Sequence, residues 1–284
     1  MPTWMQGSWH VSKLLAGSKT AGRLATPHWI GHHYTGVLST ARKWPPGYHE
    51  ENGTMNEQPT IILVHGFWGG AMHWRRVITQ LFRHGFTQLQ AVELPLTSLA
   101  DDAERTRKMV AQQAGPVLLV GHSYGGAVIT EMGDMPNVIG LVYIAAFAPD
   151  AGESPGAITH ASPPAAMANI VPDSDGYLWL KQSEFHASFC QDLTPEEAQV
   201  MAVTQKAPLG STFGNSITAP AWQQKPSWYQ ISSEDRMISP DNQQRMAARI
   251  KPRKCITLTA SHASLVSRAD EVTALIIEAA TQTR

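Results

Sequence analysis

The 284-residue chain has few of the features that would set it apart from ordinary globular proteins. It carries 2 cysteines, too few for a disulfide framework, and Cys190 and Cys255 stand far apart. Both are expected to be reduced, buried thiols of a cytoplasmic protein. No run of about 18 apolar residues is present to span a bilayer. Neither sign of charge is in excess: Lys plus Arg is 22, Asp plus Glu is 23, and the formal net charge is −1. That balance offers no footprint for nucleic acid or an anionic membrane. No zinc-ligand spacing and no dinucleotide-binding glycine loop occurs, so neither a metal nor a cofactor is expected.

Acid is missing altogether from residues 1–49, which carry five basic side chains (Lys13, Lys19, Arg23, Arg42 and Lys43). All carboxylates therefore fall in 50–284. The leading segment has no sustained period of 2 or 3.6, and its best apolar stretch, around Leu14-Leu15-Ala16, is too short for a secretory signal. Its basic, serine-containing composition fits a transit peptide loosely, so an N-terminal targeting segment stays open. The simpler expectation is an accessory or poorly ordered extension over 1–54, with the main domain over 55–284. His28, His32 and His33 do not make a metal site, because Pro27 and Gly31 break the helix that would align them.

Regularity begins near residue 58. Thr60–Val64 is a β-branched apolar run without alternation, which fits a strand covered on both faces. Ala71–His84 carries a helical stripe ending at Gly85. Phe86–Leu94 reads as a strand, Asp101–Ala114 as a helix, and Pro116–Val120 as a strand running to His122. Ala127–Met132 is a helix and Ile139–Ala146 a strand. After an irregular stretch, Trp228–Ser232 and Cys255–Leu258 are strands, while Ser239–Ile250 and Leu265–Ala280 are helices. This alternation predicts a doubly wound α/β layout with a mainly parallel sheet. The stretch from about 150 to 225 breaks the rhythm and reads as a helical cap over the carboxyl edge of the sheet. Met167, Trp179, Phe185, Phe189 and Trp222 are its candidate pocket residues. Thr194-Pro195-Glu196-Glu197 starts a helix inside it, with Thr194 as N-cap and Pro195 in the first turn.

The chemistry centres on Gly121-His122-Ser123-Tyr124-Gly125, a Gly-x-Ser-x-Gly pattern between a buried strand and a helix. Such a turn is so tight that the serine takes strained dihedrals and side chains at the glycines would strike neighbouring backbone. Ser123 is thus the candidate nucleophile. A serine hydroxyl needs a base, and His262, after the last strand, is the only histidine beyond His186. The acid should lie between them in sequence. Asp235 follows a strand and is the first choice, with adjacent Glu234 and Asp150 after the fourth strand as alternatives. Two backbone N–H groups should complete the set by holding an oxyanion: that of Tyr124, and that of Phe67 in the loop after the first strand. His65 is expected to brace that loop rather than act as a base.

Together, His65-Gly66-Phe67-Trp68-Gly69-Gly70, the elbow 121–126, Asp235-Arg236-Met237-Ile238 and His262 resemble the α/β-hydrolase superfamily. Val142–Asp150 resembles the branch holding plant methyl esterases, hydroxynitrile lyases and small bacterial esterases. The resemblance spans about residues 58–282 and implies an α/β-hydrolase fold with a reduced sheet. Ser123 stands where haloalkane dehalogenases carry Asp and dienelactone hydrolases Cys. The similar hydroxynitrile lyases place Lys after the catalytic His and Thr at the glycine of the His-Gly pair; here these are Ala263 and Gly66. The resemblance therefore implies a serine esterase forming an acyl-enzyme, acting on a small lipophilic ester. A lyase-like or cofactor-free activity and a non-catalytic ligand receptor are the alternatives. The ester and the oligomeric state are left open.

Overall fold

The computed structural model describes residues 58–283; the readings made for 1–54, including its histidines, lie outside them. Six strands form one parallel sheet: β1 (Thr60–Val64), β2 (Leu89–Val92), β3 (Val117–His122), β4 (Val138–Ile144), and, beyond a hairpin outside this sheet, two later strands. The hairpin is β5 (Ile170–Pro172) with β6 (Leu178–Leu180), and the later strands are β7 (Ser227–Ser232) and β8 (Lys254–Leu258). The order across the sheet is β2-β1-β3-β4-β7-β8. Helices connect them: α1 (Arg75–Arg83), α2 (Leu99–Ala111), α3 (Gly125–Met132), α4 (Pro155–Ala161), α5 (Gln182–Phe189), α6 (Pro195–Val203), α7 (Pro240–Ile250), α8 (Ser264–Ser267) and α9 (Ala269–Gln282).

The uninterrupted apolar strands follow from helices on both faces. Along β1, Ile62 and Val64 enter one core with residues of α2, α3 and α7, whereas Ile61 and Leu63 enter the other with α1 and α9. Each strand therefore feeds two layers by its period of 2. Helix starts follow local chemistry: the hydroxyls of Ser98, Ser154, Thr194 and Ser239 each accept from a backbone N–H of the first turn, satisfying donors that the helix cannot.

Three expectations need correction. Cys190 is buried but Cys255 is exposed, because β8 is an edge strand with a largely solvent-facing surface. The strand expected over Phe86–Leu94 contracts to Leu89–Val92, since Glu93 and Leu94 turn away to meet the loop after β1. The helix expected over Leu265–Ala280 is broken at Arg268, where the backbone leaves the helical region.

Candidate active site

Strand β3 ends in a tight turn at Ser123. Ser123 has φ of 56°, a left-handed conformation costing a non-glycine residue on the order of 1–3 kcal/mol. The neighbours hold it there: Ser123 N–H donates to Ile144 O, and Ser123 O accepts from the N–H groups of Gly126 and Phe147. The glycines are needed for space. A Cβ on Gly121 would lie 2.6 Å from Gly125 O, and one on Gly125 would lie 2.4 Å from Val64 O. On Gly66 it would sit 2.5 Å from Ser123 Cβ and 2.9 Å from its Oγ.

His262 lies on the loop between β8 and α8, fully buried. Its Nδ1–H donates to Asp235 Oδ2 at 2.7 Å. Asp235, on the loop after β7, is itself cradled: Oδ1 accepts from Met237 N–H at 2.7 Å and Ile238 N–H at 2.9 Å, and Oδ2 also accepts from Gln243 Nε2 at 2.8 Å. These bonds fix the carboxylate in place and aim Oδ2 at the imidazole. The opposite ring nitrogen, His262 Nε2, has no hydrogen-bond partner among the described residues. Its ring lies 4.7 Å from that of His122, which directly precedes Ser123.

The alternatives for the acid fall elsewhere. Asp150 accepts from Ala151 N–H and Gln223 Nε2 within its own turn region. Glu234 is exposed, and its backbone rather than its carboxylate is engaged, with Ala260 and Gln191. Of the three carboxylates, Asp235 is the one brought to His262.

Phe67 and Tyr124 stack ring on ring, centroids 4.0 Å apart at 13°, which sets the two backbone segments side by side. Neither residue's N–H donates to another described residue. Tyr124 is fixed from behind by its hydroxyl, which donates to Asp102 Oδ2 at 2.8 Å, while Asp102 Oδ1 accepts from Leu96 N–H at 2.7 Å. Burial pushes the Asp102 carboxyl above its ordinary value despite these donors. His65 braces the loop as expected: Nε2 accepts from Leu94 N–H at 3.0 Å, which leaves Nδ1–H to donate to Gly66 O at 2.8 Å.

Beside Ser123 lies a cavity lined by Phe67, Trp68, Phe147, Met167, Phe213 and Ile238, among others, and among the described residues no ionisable side chain lines it. Its free space is about 10 Å³, room for about one water molecule. Met167 is thus a wall residue, as expected of the cap. Phe189 instead packs edge-on against His262, centroids 4.9 Å apart, and Phe185 stacks behind it. Trp179 does not line this cavity; its indole N–H donates to Asp173. Trp222 points to Pro149 O.

Two residues of this arrangement escaped the sequence reading. Gln243 bridges Asp235 Oδ2 and Ile238 O with its amide N–H groups, and its Oε1 accepts from Ser232 N–H. It sits at the helical spacing of Met246, Ala247 and Ile250 on the buried face of α7, so a glutamine interrupting an apolar stripe was the available signal. His122 donates from Nε2 to His262 O at 2.8 Å. Burial, with the neighbouring His262, drives its imidazole well below the ordinary range, so it stays neutral. No sequence pattern distinguishes this histidine from any other residue preceding the elbow serine. His73, whose neighbours include His65 and His262, is likewise lowered to about 4, chiefly by removal from water.

Comparison with known proteins agrees with the fold. Residues 61–275 match the model of the alpha/beta hydrolase family. A carbendazim-hydrolyzing esterase from Nocardioides is 32% identical over 159 residues, 50% of this chain and 63% of that protein. Methylesterase 7 of Arabidopsis thaliana is 25% identical over 263 residues, covering 79% of this chain and 97% of the relative. Among solved structures, a pyrethroid hydrolase from Sphingobium faniae JZ-2 superposes with a TM-score of 0.67 at 20% identity, over 78% of this chain and 97% of its own.

Proposed function

The chain belongs to the α/β-hydrolase family, and we propose that it hydrolyses small, uncharged carboxylic esters with Ser123 as nucleophile. Its esterase and methylesterase relatives support a carboxylic ester hydrolase. The observation that carries the mechanism is the buried Asp235–His262 pair, 2.7 Å apart, whose outer ring nitrogen has no partner among the described residues and whose ring lies 4.7 Å from that of His122, next to the strained Ser123.

Ser123 Oγ attacks the ester carbonyl as His262 Nε2 takes its proton, and Asp235 stabilises the resulting imidazolium through Nδ1–H. The carbonyl oxygen becomes an oxyanion held by the free N–H groups of Phe67 and Tyr124, where each donor contributes about 3 kcal/mol to the transition state. His262 then gives the proton to the departing alkoxide, releasing the alcohol and leaving an acyl-serine. Water enters, His262 removes its proton, and the hydroxide attacks the acyl carbon; the acid leaves and Ser123 recovers its hydrogen. The cavity wall lacks charged groups, which favours a neutral, lipophilic substituent next to the reacting carbon, since a buried unpaired charge is costly.

The test is Ser123→Ala with a short-chain aryl ester. Turnover is expected to fall by about 10⁴-fold or more with an unchanged circular dichroism spectrum; retained turnover removes the serine mechanism.

A further inference from the structure

The site as it stands is shut. Ser123 is 3 % exposed and His262 is fully buried, and the cavity beside the serine has about 10 Å³ of free space. An ester can reach Ser123 only if part of the wall moves. Phe213 and Ile170 of the insertion between β4 and β7 both line that cavity. Ile170 belongs to the β5–β6 hairpin, paired with Leu180, and the hairpin is bound in turn to residues 205–210. Leu178 N–H donates to Pro208 O, Gly210 N–H to Gly176 O, and the Gln205 side chain bonds both backbone groups of Leu180. Hairpin and 205–210 segment therefore form one hydrogen-bonded unit, which continues directly into the turn bearing Phe213.

This unit is attached to the body of the protein at Trp68. The indole Nε1–H of Trp68 donates to Leu178 O at 2.8 Å, and its backbone N–H donates to Lys206 O at 3.0 Å. Trp68 has φ of 56°, a left-handed conformation that a tryptophan keeps only where its surroundings impose it. Its preceding residue is Phe67, whose N–H is the second proposed oxyanion donor. Two further ties flank the contact: the Lys206 ammonium donates to Leu94 O, and Leu209 N–H donates to Leu96 O at 2.9 Å.

Resting on the serine-esterase reading, we infer that Trp68 is a positioning residue coupling the seating of the insertion to the oxyanion hole. When the hairpin unit swings out to admit an ester, both Trp68 bonds break and the strained backbone relaxes, carrying the Phe67 N–H out of line. When the unit closes over the substrate, the bonds re-form and aim that N–H at the carbonyl oxygen. Oxyanion stabilisation is thereby complete only with the substrate enclosed.

The experiment compares Trp68→Phe, which keeps an aromatic ring and deletes the indole donor, with Lys206→Met, which weakens the seating without touching the oxyanion loop. Both are assayed with a short-chain aryl ester and with phenylboronic acid, whose tetrahedral serine adduct places an oxygen at the hole; Ser123→Ala is run beside them. The coupling predicts that kcat and boronate affinity each fall about tenfold in either variant, while KM stays within about twofold. It also predicts that the double variant loses less than the product of the two single losses. A folded Trp68→Phe enzyme with wild-type kcat and boronate affinity, beside an inactive Ser123→Ala, overturns the coupling and leaves the serine reading intact. An active Ser123→Ala variant brings down both. Should Trp68→Phe fail to fold, Lys206→Met decides: an unchanged kcat and boronate affinity overturn the proposal.

Discussion

The two flanks of Ser123 are built on opposite principles. On one side, His262, Asp235, Gln243 and His122 form a buried polar chain in which the Asp235 oxygens meet backbone and amide donors and the His262 backbone is held by a second, neutral histidine. On the other side, Phe67, Trp68, Met167, Phe213 and Ile238 wall a cavity without a charged group. In the proposed reaction charge develops on the first flank, where the dipoles are fixed beforehand and little reorganises. The second flank is where the proposed substrate enters, and it is closed by side chains and by the hydrogen-bonded hairpin unit.

This contrast is breakable. The largest effect is expected from Asp235→Asn, which keeps the shape but leaves the imidazole in the wrong tautomer: kcat should drop about 10⁴-fold. Asp150→Asn should leave it unchanged, and kinetics of the two variants side by side would expose any misassignment of the acid. Next comes Gln243→Leu, which lets the carboxylate drift; kcat should fall about 10- to 100-fold with a lesser change in KM. On the apolar flank, Met167→Ala should raise kcat/KM for a bulky acyl ester about tenfold relative to an acetate, read from a substrate panel. A uniform loss across the panel would deny Met167 its place on the wall.

The smallest effect concerns stability. His73 is lowered from 6.5 to about 4 in the folded protein, so between those values the unfolded chain binds the proton more readily. Its contribution is full above pH 6.5 and is lost as pH falls toward 4. His73→Asn should therefore flatten the decline of Tm across that window by a few degrees, as seen in thermal melts at several pH values. An unaltered slope would mean that other groups govern it.

Much of this was readable from the chain. Strand runs such as Thr60–Val64 and Val117–His122 declare themselves because both faces are buried, and the elbow glycines and the late His262 mark the candidate site because the turn and the chain order leave few choices. What stayed hidden depends on contacts between residues remote in sequence. The β5–β6 hairpin is stabilised by Gln205 and by residues 208–210, none of which marks it locally. Likewise Cys255 lies in an apolar-looking strand, and only its position at the sheet edge exposes it.

The contact between Gly66 and the serine has an evolutionary consequence. With 2.5 Å between an added Cβ and Ser123 Cβ, position 66 has room for a hydrogen and nothing more. The threonine that the similar hydroxynitrile lyases carry at this glycine cannot then be introduced by exchanging this one side chain. The loop after β1 and the turn after β3 would have to part first, so of the two differences at 66 and 263 the first demands a backbone rearrangement and not a side-chain exchange alone.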